Sequence, residues 1–172
     1  MSSKVHSELQ ARLAKIKLFV IDVDGTMTDG GIFIDSEGNE FKRFDAHDGH
    51  GIKLLQLNGH IEIAILSGRS SKPVAIRAKE LGIKTVLQGY FEKGGALRTL
   101  MDERKLKKEQ VAVMGDEVSD LEMAALAGVS FAPSNAVDAV KSGVDYVTQR
   151  EGGYGAVREV CDMLLKAHED AQ

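Results

Sequence analysis

The sequence predicts an α/β fold in which helices cover both faces of a parallel sheet, giving three layers. Short apolar runs alternate along the chain with segments of helical periodicity, which is the pattern of βα units. No internal repeat, low-complexity segment or proline-rich linker interrupts this alternation. The length of 172 residues matches one domain, and an apolar content of 43% is enough to form a core. We therefore expect a single Rossmann-like domain over residues 1–172.

Six apolar runs have the length and composition of strands. They cover residues 17–22, 61–67, 84–88, 110–115, 129–132 and 146–148. Helical patterns lie between them, over residues 51–57, 72–81, 93–101, 119–127 and 136–142. A glycine-rich loop and a last helix are expected over about 150–168, since Val157, Val160, Cys161, Leu164 and Leu165 repeat at the spacing of an amphipathic helix.

One segment, at about residues 30–45, departs from the alternation. It reads GIFIDSEGNEFKRF, in which two apolar runs flank a turn that contains Asp35 and Gly38. This pattern predicts a protruding β-hairpin. Four of its side chains are too apolar for a small hairpin alone in water, so we expect them to pack on the core or on another subunit. They are Phe33, Ile34, Phe41 and Phe44.

The composition argues against several classes of protein. Lys and Arg number 22 and Asp and Glu 26, so the basic excess of a nucleic-acid-binding protein is missing. The one cysteine, Cys161, cannot form an intrachain disulfide, and its apolar surroundings favour a buried hydrophobe over a nucleophile. The N-terminus has no apolar signal core, and no segment approaches the ~20 apolar residues of a membrane span. We expect a cytoplasmic protein with no nucleic-acid or membrane partner.

Polar residues gather where the predicted strands end. Parallel sheets bind ligands outside the carboxyl ends of their strands, so these residues would meet at one rim. The clusters are Asp22-Val23-Asp24-Gly25-Thr26 after the first strand, Ser67-Gly68-Arg69 after the second, Lys93 at the start of a helix, and Gly115-Asp116-Glu117 after the fourth strand, with Asp120 beyond.

Several common ligand motifs do not fit the pair Asp22 and Asp24. An EF-hand loop that starts at Asp22 would have Met27 at its glycine position and Phe33 at its glutamate position. The glycine pattern of a dinucleotide site, the lysine of a phosphate-binding loop and the serine elbow of a hydrolase are all missing around these strands. Hard-cation chemistry remains, with Mg²⁺ held by Asp22 and Asp116 and completed by a substrate phosphate.

These residue types suit the hydrolysis of a phosphate ester. The Asp22 carboxylate can attack phosphorus, while Mg²⁺ and Lys93 offset the charge repulsion between them. Asp24 can protonate the leaving oxygen and then activate water. Ser67 can hold a phosphoryl oxygen. Thr26, Gly68 and Arg69 border these residues and are candidate substrate contacts.

The motifs DVDGT, LSGR, a helix-opening lysine and GDEVSD, in this order, resemble the four motifs of the haloacid dehalogenase superfamily of phosphohydrolases. The resemblance covers nearly the whole chain. It implies that Asp22 is both nucleophile and metal ligand, that Asp24 is the acid/base and binds metal through its backbone carbonyl, and that Asp116 is the third metal ligand. It also implies that Ser67 and Lys93 stabilise the phosphate and that Asp120 is a supporting carboxylate.

Structural roles compete with these assignments. Ser67 and Thr26 are also residue types that cap helices. Lys93 and Arg69, each taken alone, are ordinary surface cations. Asp120 is also typical of the first turn of a helix, where the dipole favours a negative charge. The occurrence of all four motifs in order favours the functional interpretation for Ser67 and Lys93.

The spacing leaves no room for the separate cap domain that covers the site in many relatives. The chain resembles one family of capless members in four segments: DVDGTMTDGGIFIDSEGNEFKRF, DGHGIKLL, SGRSSKPVAIRAKELGI and GGYGAVREVCDMLL. It is the 3-deoxy-D-manno-octulosonate 8-phosphate phosphatase family. The resemblance implies hydrolysis of this sugar-acid phosphate in lipopolysaccharide biosynthesis. It also implies a homotetramer assembled through the hairpins, in which a tail of one subunit reaches the site of another.

Two positions depart from the pattern of this family. His47 and Tyr154 stand where members commonly have arginine, and the loss of two cations weakens a site for the carboxylate of a sugar acid. A nonulosonate 9-phosphate, or a broader range of sugar phosphates, is therefore an alternative substrate. A non-catalytic oligomerisation module, like related domains fused to cytidylyltransferases, is an alternative of another class.

Overall fold

The structure is a computed structural model that describes residues 3–171, with side chains from residue 8 onward. The helices of this part are α1 (Ser3–Leu13), α2 (Ala46–Asn58), α3 (Lys72–Leu81), α4 (Lys93–Arg104), α5 (Leu121–Leu126), α6 (Asp138–Gly143) and α7 (Ala156–Asp170). The strands are β1 (Leu18–Ile21), β2 (Phe33–Ile34), β3 (Glu40–Phe41), β4 (Glu62–Ser67), β5 (Thr85–Gln88), β6 (Val111–Met114), β7 (Val129–Ala132) and β8 (Tyr146–Val147).

Six strands form one parallel sheet in the order β5-β4-β1-β6-β7-β8. The central strand β1 is buried at all four positions, as expected of a strand with neighbours on both edges and helices on both faces. Its first residue, Leu18, pairs with Glu62 of β4 and Val111 of β6, so the three strands run level. This arrangement confirms the predicted Rossmann-like sheet.

Two apolar layers confirm the three-layer architecture. Phe19 and Ile21 of β1 belong to the larger core, which also includes buried residues of α1, α2, α3 and α7. Leu18 and Val20 belong to a second core with buried residues of α4 and α5. Successive side chains of a strand point to opposite faces, so one short strand supports both cores.

Helix boundaries differ most from the predictions where glycine is frequent. The helix predicted over 51–57 begins at Ala46, because Asp45 Oδ1 accepts the N–H groups of His47 and Asp48 as an N-cap. Glycines obscure the apolar period of its first turns, and Gly51 lies so close to α7 that an added Cβ would be 2.7 Å from Arg158 Cδ. The sequence analysis did not predict α1, whose sequence is mostly polar.

Elsewhere the boundaries move by a few residues. The helix predicted over 93–101 extends to Arg104, and the one over 119–127 is a 3-10 turn, Val118–Asp120, followed by α5. The helix predicted over 136–142 begins at Asp138. None of the helices within residues 3–171 combines the length and the apolar character needed to cross a bilayer.

The hairpin forms as predicted, with two-residue strands β2 and β3 that pair antiparallel. Asp35 closes its turn by accepting the N–H groups of Glu37 and Asn39. Phe44 packs on the core, which is one of the two expected outcomes for the hairpin side chains: it is half-buried against the larger core, where the chain turns inward toward α2. The exposed apolar side chains are Ile32, Phe33, Ile34 and Phe41. No cap domain lies among the described residues between β1 and α2.

Helix α7 packs along α2, and Asp48 joins the two. Asp48 is buried in α2, and its Oδ1 accepts the N–H of Arg158 in the first turn of α7 at 2.7 Å. Helix α7 has no N-cap side chain of its own, because its N-cap residue is Gly155. Asp48 thus supplies the capping carboxylate from the neighbouring helix. Its Oδ2 is buried without a hydrogen-bond partner in the described part of the chain.

We expect the stability difference between the Asp48→Asn variant and the parent protein to depend on pH. Burial raises the pKa of Asp48 from 3.8 to about 6, with a smaller contribution from Asp45 and opposing effects of the Arg158 N–H and of Arg150. The folded state therefore binds this proton more tightly than the unfolded state, and the stability contributed by Asp48 falls as pH rises from about 4 to about 6.

Asparagine keeps an oxygen acceptor but carries no charge. We expect the unfolding free energy of Asp48→Asn, measured relative to that of the parent protein by denaturant unfolding, to be about 1–2 kcal/mol higher at pH 7.5 than at pH 5. A difference in unfolding free energy that is equal at both values would contradict this assignment of the buried charge.

Candidate active site

The three strand ends predicted to carry polar residues are neighbours in the sheet. Asp22 follows β1, Ser67 ends β4, and Asp116 comes two residues after β6. The N–H of Asp22 donates to the carbonyl of Met114 at 3.0 Å, which extends the pairing of β1 and β6 up to the nucleophile candidate. The structure therefore brings these motifs to one edge, as the sequence analysis predicted.

Lys93 lies at the centre of this edge, in the first turn of α4. Its Nζ donates to Asp22 Oδ1 at 2.8 Å and to Asp120 Oδ1 at 2.5 Å, and all three residues are at least 95% buried. Burial acts to lower the pKa of Lys93, but the two carboxylates outweigh it and raise the pKa. The ammonium is thus held in its charged form between two anions.

Carboxylates outnumber this single cation. Oxygens of Asp22, Asp116 and Asp120 lie within 4.8 Å of one another. Burial and the neighbouring carboxylates raise the pKa values of Asp22 and Asp116, against the effects of Lys93 on Asp22 and of a Thr26 hydrogen bond on Asp116. Two buried acids and the half-buried Asp116, with one lysine, leave a negative excess that a divalent cation with oxygen ligands would neutralise. The donor set fits Mg²⁺.

Both carboxylate oxygens of Asp120 already accept hydrogen bonds from other residues of the chain. Its Oδ1 accepts from Lys93, and its Oδ2 accepts the N–H groups of Asp116 and Glu117, each at 3.0 Å. These contacts suit the supporting role that the sequence analysis expected for Asp120. Asp116 receives a hydrogen bond from the Thr26 hydroxyl at 3.0 Å, so Thr26 orients a metal-ligand candidate in this structure.

Asp24 points to a different set of partners. Lys42 Nζ donates to Asp24 Oδ1 and also pairs with Glu40 at 3.1 Å. Arg69 lies 3.7 Å from Asp24 Oδ2 and 3.0 Å from Glu40. The side chain of Asp24 is thus oriented by two cations and lies outside the acidic cluster of Asp22. Its predicted ligation of a metal would use the backbone carbonyl instead.

Sequence reasoning missed Lys42 and Glu40. Both belong to the hairpin, for which the sequence predicts only a role in packing or assembly, and nothing in their local pattern separates them from other charged strand residues. The side chain of Lys42 is fully buried, and this burial results from tertiary packing that the local sequence does not reveal. The hairpin therefore contacts the candidate acid/base directly.

The phosphate-site candidates follow β4. Ser67 is buried, and its hydroxyl oxygen accepts the N–H of Arg69 at 3.3 Å. The carbonyl of Ser67 accepts the N–H of Tyr90, which ties this loop to the one that precedes Lys93. Gly68 is partly exposed at the open side of the edge, near the exposed ring of Phe91.

The glycine-rich loop packs on the loop of Asp24 within the same chain. The N–H of Gly153 donates to the carbonyl of Thr26 at 3.2 Å. Asn135, another residue that sequence reasoning missed, donates to the Gly25 carbonyl at 3.0 Å and accepts the N–H of Gly152 at 2.6 Å. The backbone of this loop therefore supports the loop of residues 22–28, which carries the candidate residues Asp22 and Asp24 and is called the catalytic loop below.

The two departures from the family pattern lie in different places. His47 lines a groove of about 1170 Å³ between α1, β8 and α7, and none of the predicted site residues lines that groove. Tyr154 belongs to the glycine-rich loop, where the guanidinium of Arg43 lies 4.2 Å from the centre of its ring. A cation is thus present beside Tyr154, although it comes from the hairpin.

Comparisons with known proteins agree with this geometry. A family model described as haloacid dehalogenase-like hydrolase matches residues 85–159. The 3-deoxy-D-manno-octulosonate 8-phosphate phosphatase of Haemophilus influenzae is 42% identical over 159 residues, which cover 92% of this chain and 88% of the relative. The Yersinia pestis phosphatase of the same name is 39% identical and covers 96% of this chain and 88% of its own length.

Solved structures give the same result. The phosphatase of Moraxella catarrhalis, in complex with magnesium ion, phosphate ion and a KDO molecule, superposes with a TM-score of 0.92 at 41% identity and covers 95% of this chain and 94% of its own. The cobalt-bound Haemophilus influenzae phosphatase superposes with a TM-score of 0.88 at 42% identity and covers 92% of each chain.

The fold and the four motifs define a haloacid dehalogenase-like hydrolase of the capless group, and the chain is a phosphatase. Within that class, the chain belongs to the 3-deoxy-D-manno-octulosonate 8-phosphate phosphatase family.

The contact between the glycine-rich loop and the catalytic loop predicts the effect of adding one methyl group at residue 152. In Gly152→Ala, the added Cβ would lie 1.9 Å from the carbonyl oxygen of Gly25, so the catalytic loop must move. We expect a loss of about 1–3 kcal/mol in unfolding free energy together with lower phosphatase activity.

Gly95→Ala is the matched control. Gly95 lies in α4 with nothing within 4 Å of an added Cβ, so this variant should gain about 0.5–1 kcal/mol from its helix propensity and keep its activity. Equal behaviour of the two variants would contradict the close approach of the loops.

Proposed function

We propose that this chain hydrolyses 3-deoxy-D-manno-octulosonate 8-phosphate in a Mg²⁺-dependent reaction that passes through a phosphorylated Asp22. The observation that carries this proposal is the grouping of buried Asp22 and Lys93 with the half-buried Asp116 at the carboxyl ends of adjacent strands. Relatives at about 40% identity carry that name, and one of their structures holds magnesium, phosphate and the sugar acid.

Asp22 and Asp116 would hold Mg²⁺ through carboxylate oxygens, and Asp24 through its backbone carbonyl. When bound, the ion supplies the positive charge that lets a carboxylate approach an anionic phosphate. Lys93 supplies a second positive charge. Its hydrogen bond also fixes the position of Asp22 Oδ1. Asp120 keeps Lys93 in place and holds the backbone of Asp116.

The reaction has two steps at the phosphorus atom. In the first, a carboxylate oxygen of Asp22 attacks phosphorus, the bond to the sugar oxygen breaks, and Asp24 gives its proton to that oxygen. In the second, Asp24 takes a proton from water as the water oxygen attacks phosphorus, which releases phosphate and restores Asp22. The Ser67 hydroxyl and the Lys93 ammonium hold the phosphoryl oxygens in both steps.

Substrate contacts beyond the phosphate are assigned to Thr26, Gly68 and Arg69. The side chain of Arg69 is partly exposed beside Asp24, so it could contact a substrate bound at this edge. The proposed substrate also places the enzyme in lipopolysaccharide biosynthesis, as the sequence resemblance implies, and in the cytoplasm.

Replacement of Asp22 tests the chemistry. Asp22→Asn removes the nucleophile while it keeps the size of the side chain, so phosphate release from the sugar-acid phosphate with Mg²⁺ should fall by about 10³-fold or more. Chelation of Mg²⁺ from the parent protein should cause a comparable loss. Asp138→Asn, which changes a solvent-exposed aspartate of α6, should retain full activity.

A substrate panel tests the assignment of the sugar acid. It should include octulosonate 8-phosphate, a nonulosonate 9-phosphate and neutral sugar phosphates, and kcat/KM should be highest for the first. A higher value for the nonulosonate would reassign the substrate. A parent protein that releases no phosphate from any of them would sink the enzymatic proposal.

We further propose a homotetramer assembled through the hairpins. Ile32, Phe33, Ile34 and Phe41 are each more than half exposed, and Phe33 pairs directly with Phe41 across the two strands. Such a patch on so small a projection is typical of a surface that another subunit covers.

A charge placed in this patch should break the assembly. Phe33→Asp and Phe41→Asp should lower the molar mass measured by light scattering from that of a tetramer, because a buried unpaired carboxylate opposes association. Ile76→Asp, at an equally exposed position of α3, should leave the mass unchanged. A parent protein that is monomeric at micromolar concentration would rule out the hairpin assembly.

A further inference from the structure

Four charged side chains form a closed ring beside the catalytic loop. Lys42 Nζ donates to Asp24 Oδ1 and lies 3.1 Å from Glu40 Oε1. The Arg69 guanidinium lies 3.0 Å from the same oxygen of Glu40 and 3.7 Å from Asp24 Oδ2. Cations and anions alternate around this four-charge ring, so each carboxylate faces both cations and each cation faces both carboxylates.

The four-charge ring joins three segments of the chain. Asp24 belongs to the catalytic loop, Glu40 and Lys42 belong to the hairpin, and Arg69 follows β4. The N–H of Arg69 also donates to the hydroxyl oxygen of Ser67 at 3.3 Å, so the ring is tied to a phosphate-site candidate. The hairpin is thus attached through charges to two loops of the candidate active site.

Glu40 supplies the second negative charge of the ring, although its side chain is only 17% exposed. Burial acts to raise the pKa of Glu40, but the groups around its carboxylate, Lys42 and Arg69 among them, outweigh burial and lower the pKa. The side chain of Lys42 is fully buried, and removal of one partner from a buried ion pair leaves an uncompensated charge. The buried ammonium therefore depends on Glu40 as well as on Asp24.

We propose that Lys42 and Glu40 are positioning residues for the acid/base. This inference rests on the proposed function, in which Asp24 gives a proton to the leaving oxygen and then takes one from water. Lys42 fixes one oxygen of that carboxylate, Arg69 lies beside the other, and Glu40 holds both cations. The Asp24 side chain is therefore kept in one orientation for both proton transfers, outside the acidic cluster of Asp22.

Positioning of this kind affects proton transfer and leaves the attack on phosphorus intact. In 4-nitrophenyl phosphate the leaving group departs without a proton, so Asp22 can be phosphorylated even when Asp24 is misplaced. Hydrolysis of the phosphorylated Asp22 still needs Asp24 to take a proton from water. A misplaced acid/base should therefore give a rapid burst of nitrophenolate, about one per active site, followed by slow turnover.

Lys42→Met tests the ring because it removes the ammonium but keeps the buried stem. We expect the nitrophenolate burst in stopped-flow measurements, followed by a reduced steady-state rate. On octulosonate 8-phosphate, kcat should fall by about 10- to 100-fold with little change in KM. Lys42→Arg should recover part of kcat, since it keeps the charge.

Three further variants complete the comparison. Glu40→Gln keeps the size of its side chain, tests the ring independently of Lys42, and should show the same pattern with a smaller loss. Asp24→Asn should show the pattern with a larger loss, because it removes the acid/base itself. Glu37→Gln, at an exposed position in the turn of the hairpin, should behave like the parent protein.

The possible failures are distinguishable. An active parent protein whose kcat is unchanged in both Lys42→Met and Glu40→Gln would overturn this inference alone. A lower kcat without the nitrophenolate burst would also overturn it, because the ring would then support the attack by Asp22 as a merely structural element does. Full activity of Asp24→Asn would instead overturn the acid/base step of the proposed function, and a parent protein without activity would overturn that function itself.

Discussion

The buried ammonium of Lys93 is the interaction on which the rest of the site depends. Two carboxylates of a three-acid cluster, Asp22 and Asp120, each accept a hydrogen bond from it. Lys93 opposes, but does not cancel, the burial and mutual repulsion that raise the pKa values of Asp22 and Asp116, and a neutral Asp22 is neither a nucleophile nor a metal ligand. A divalent cation with oxygen ligands would add the positive charge that the ionised cluster lacks.

Packing at a distance from the chemistry holds this cluster in position. Asp48 of α2 caps α7 in place of a side chain on α7 itself, and α7 follows directly from the glycine-rich loop. That loop lies against Gly25 and Thr26 so closely that a methyl group at residue 152 has no space. The position of the catalytic loop is therefore linked, through backbone contacts, to the packing of two helices on one face of the sheet.

The hairpin carries two kinds of residue. Ile32, Phe33, Ile34 and Phe41 are exposed to solvent, whereas Lys42 donates to Asp24 and Arg43 stacks on Tyr154. Through Lys42 the hairpin orients Asp24, the candidate acid/base. The same projection offers the apolar surface through which copies of the chain would associate.

The sequence by itself determined the parallel sheet, its helices and the identity of the residues at the strand ends. It could do so because apolar periodicity is a local property and because the carboxyl ends of parallel strands meet wherever the chain places them. It did not reveal α1, the early start of α2, or the roles of Lys42, Asn135 and Arg43, since polar and glycine-rich segments carry no strong period. Only the tertiary structure decided which charges meet. The contacts of Lys42 with Asp24 and of Arg43 with Tyr154 join segments 18 and 110 or more residues apart, and no local pattern encodes such a distance.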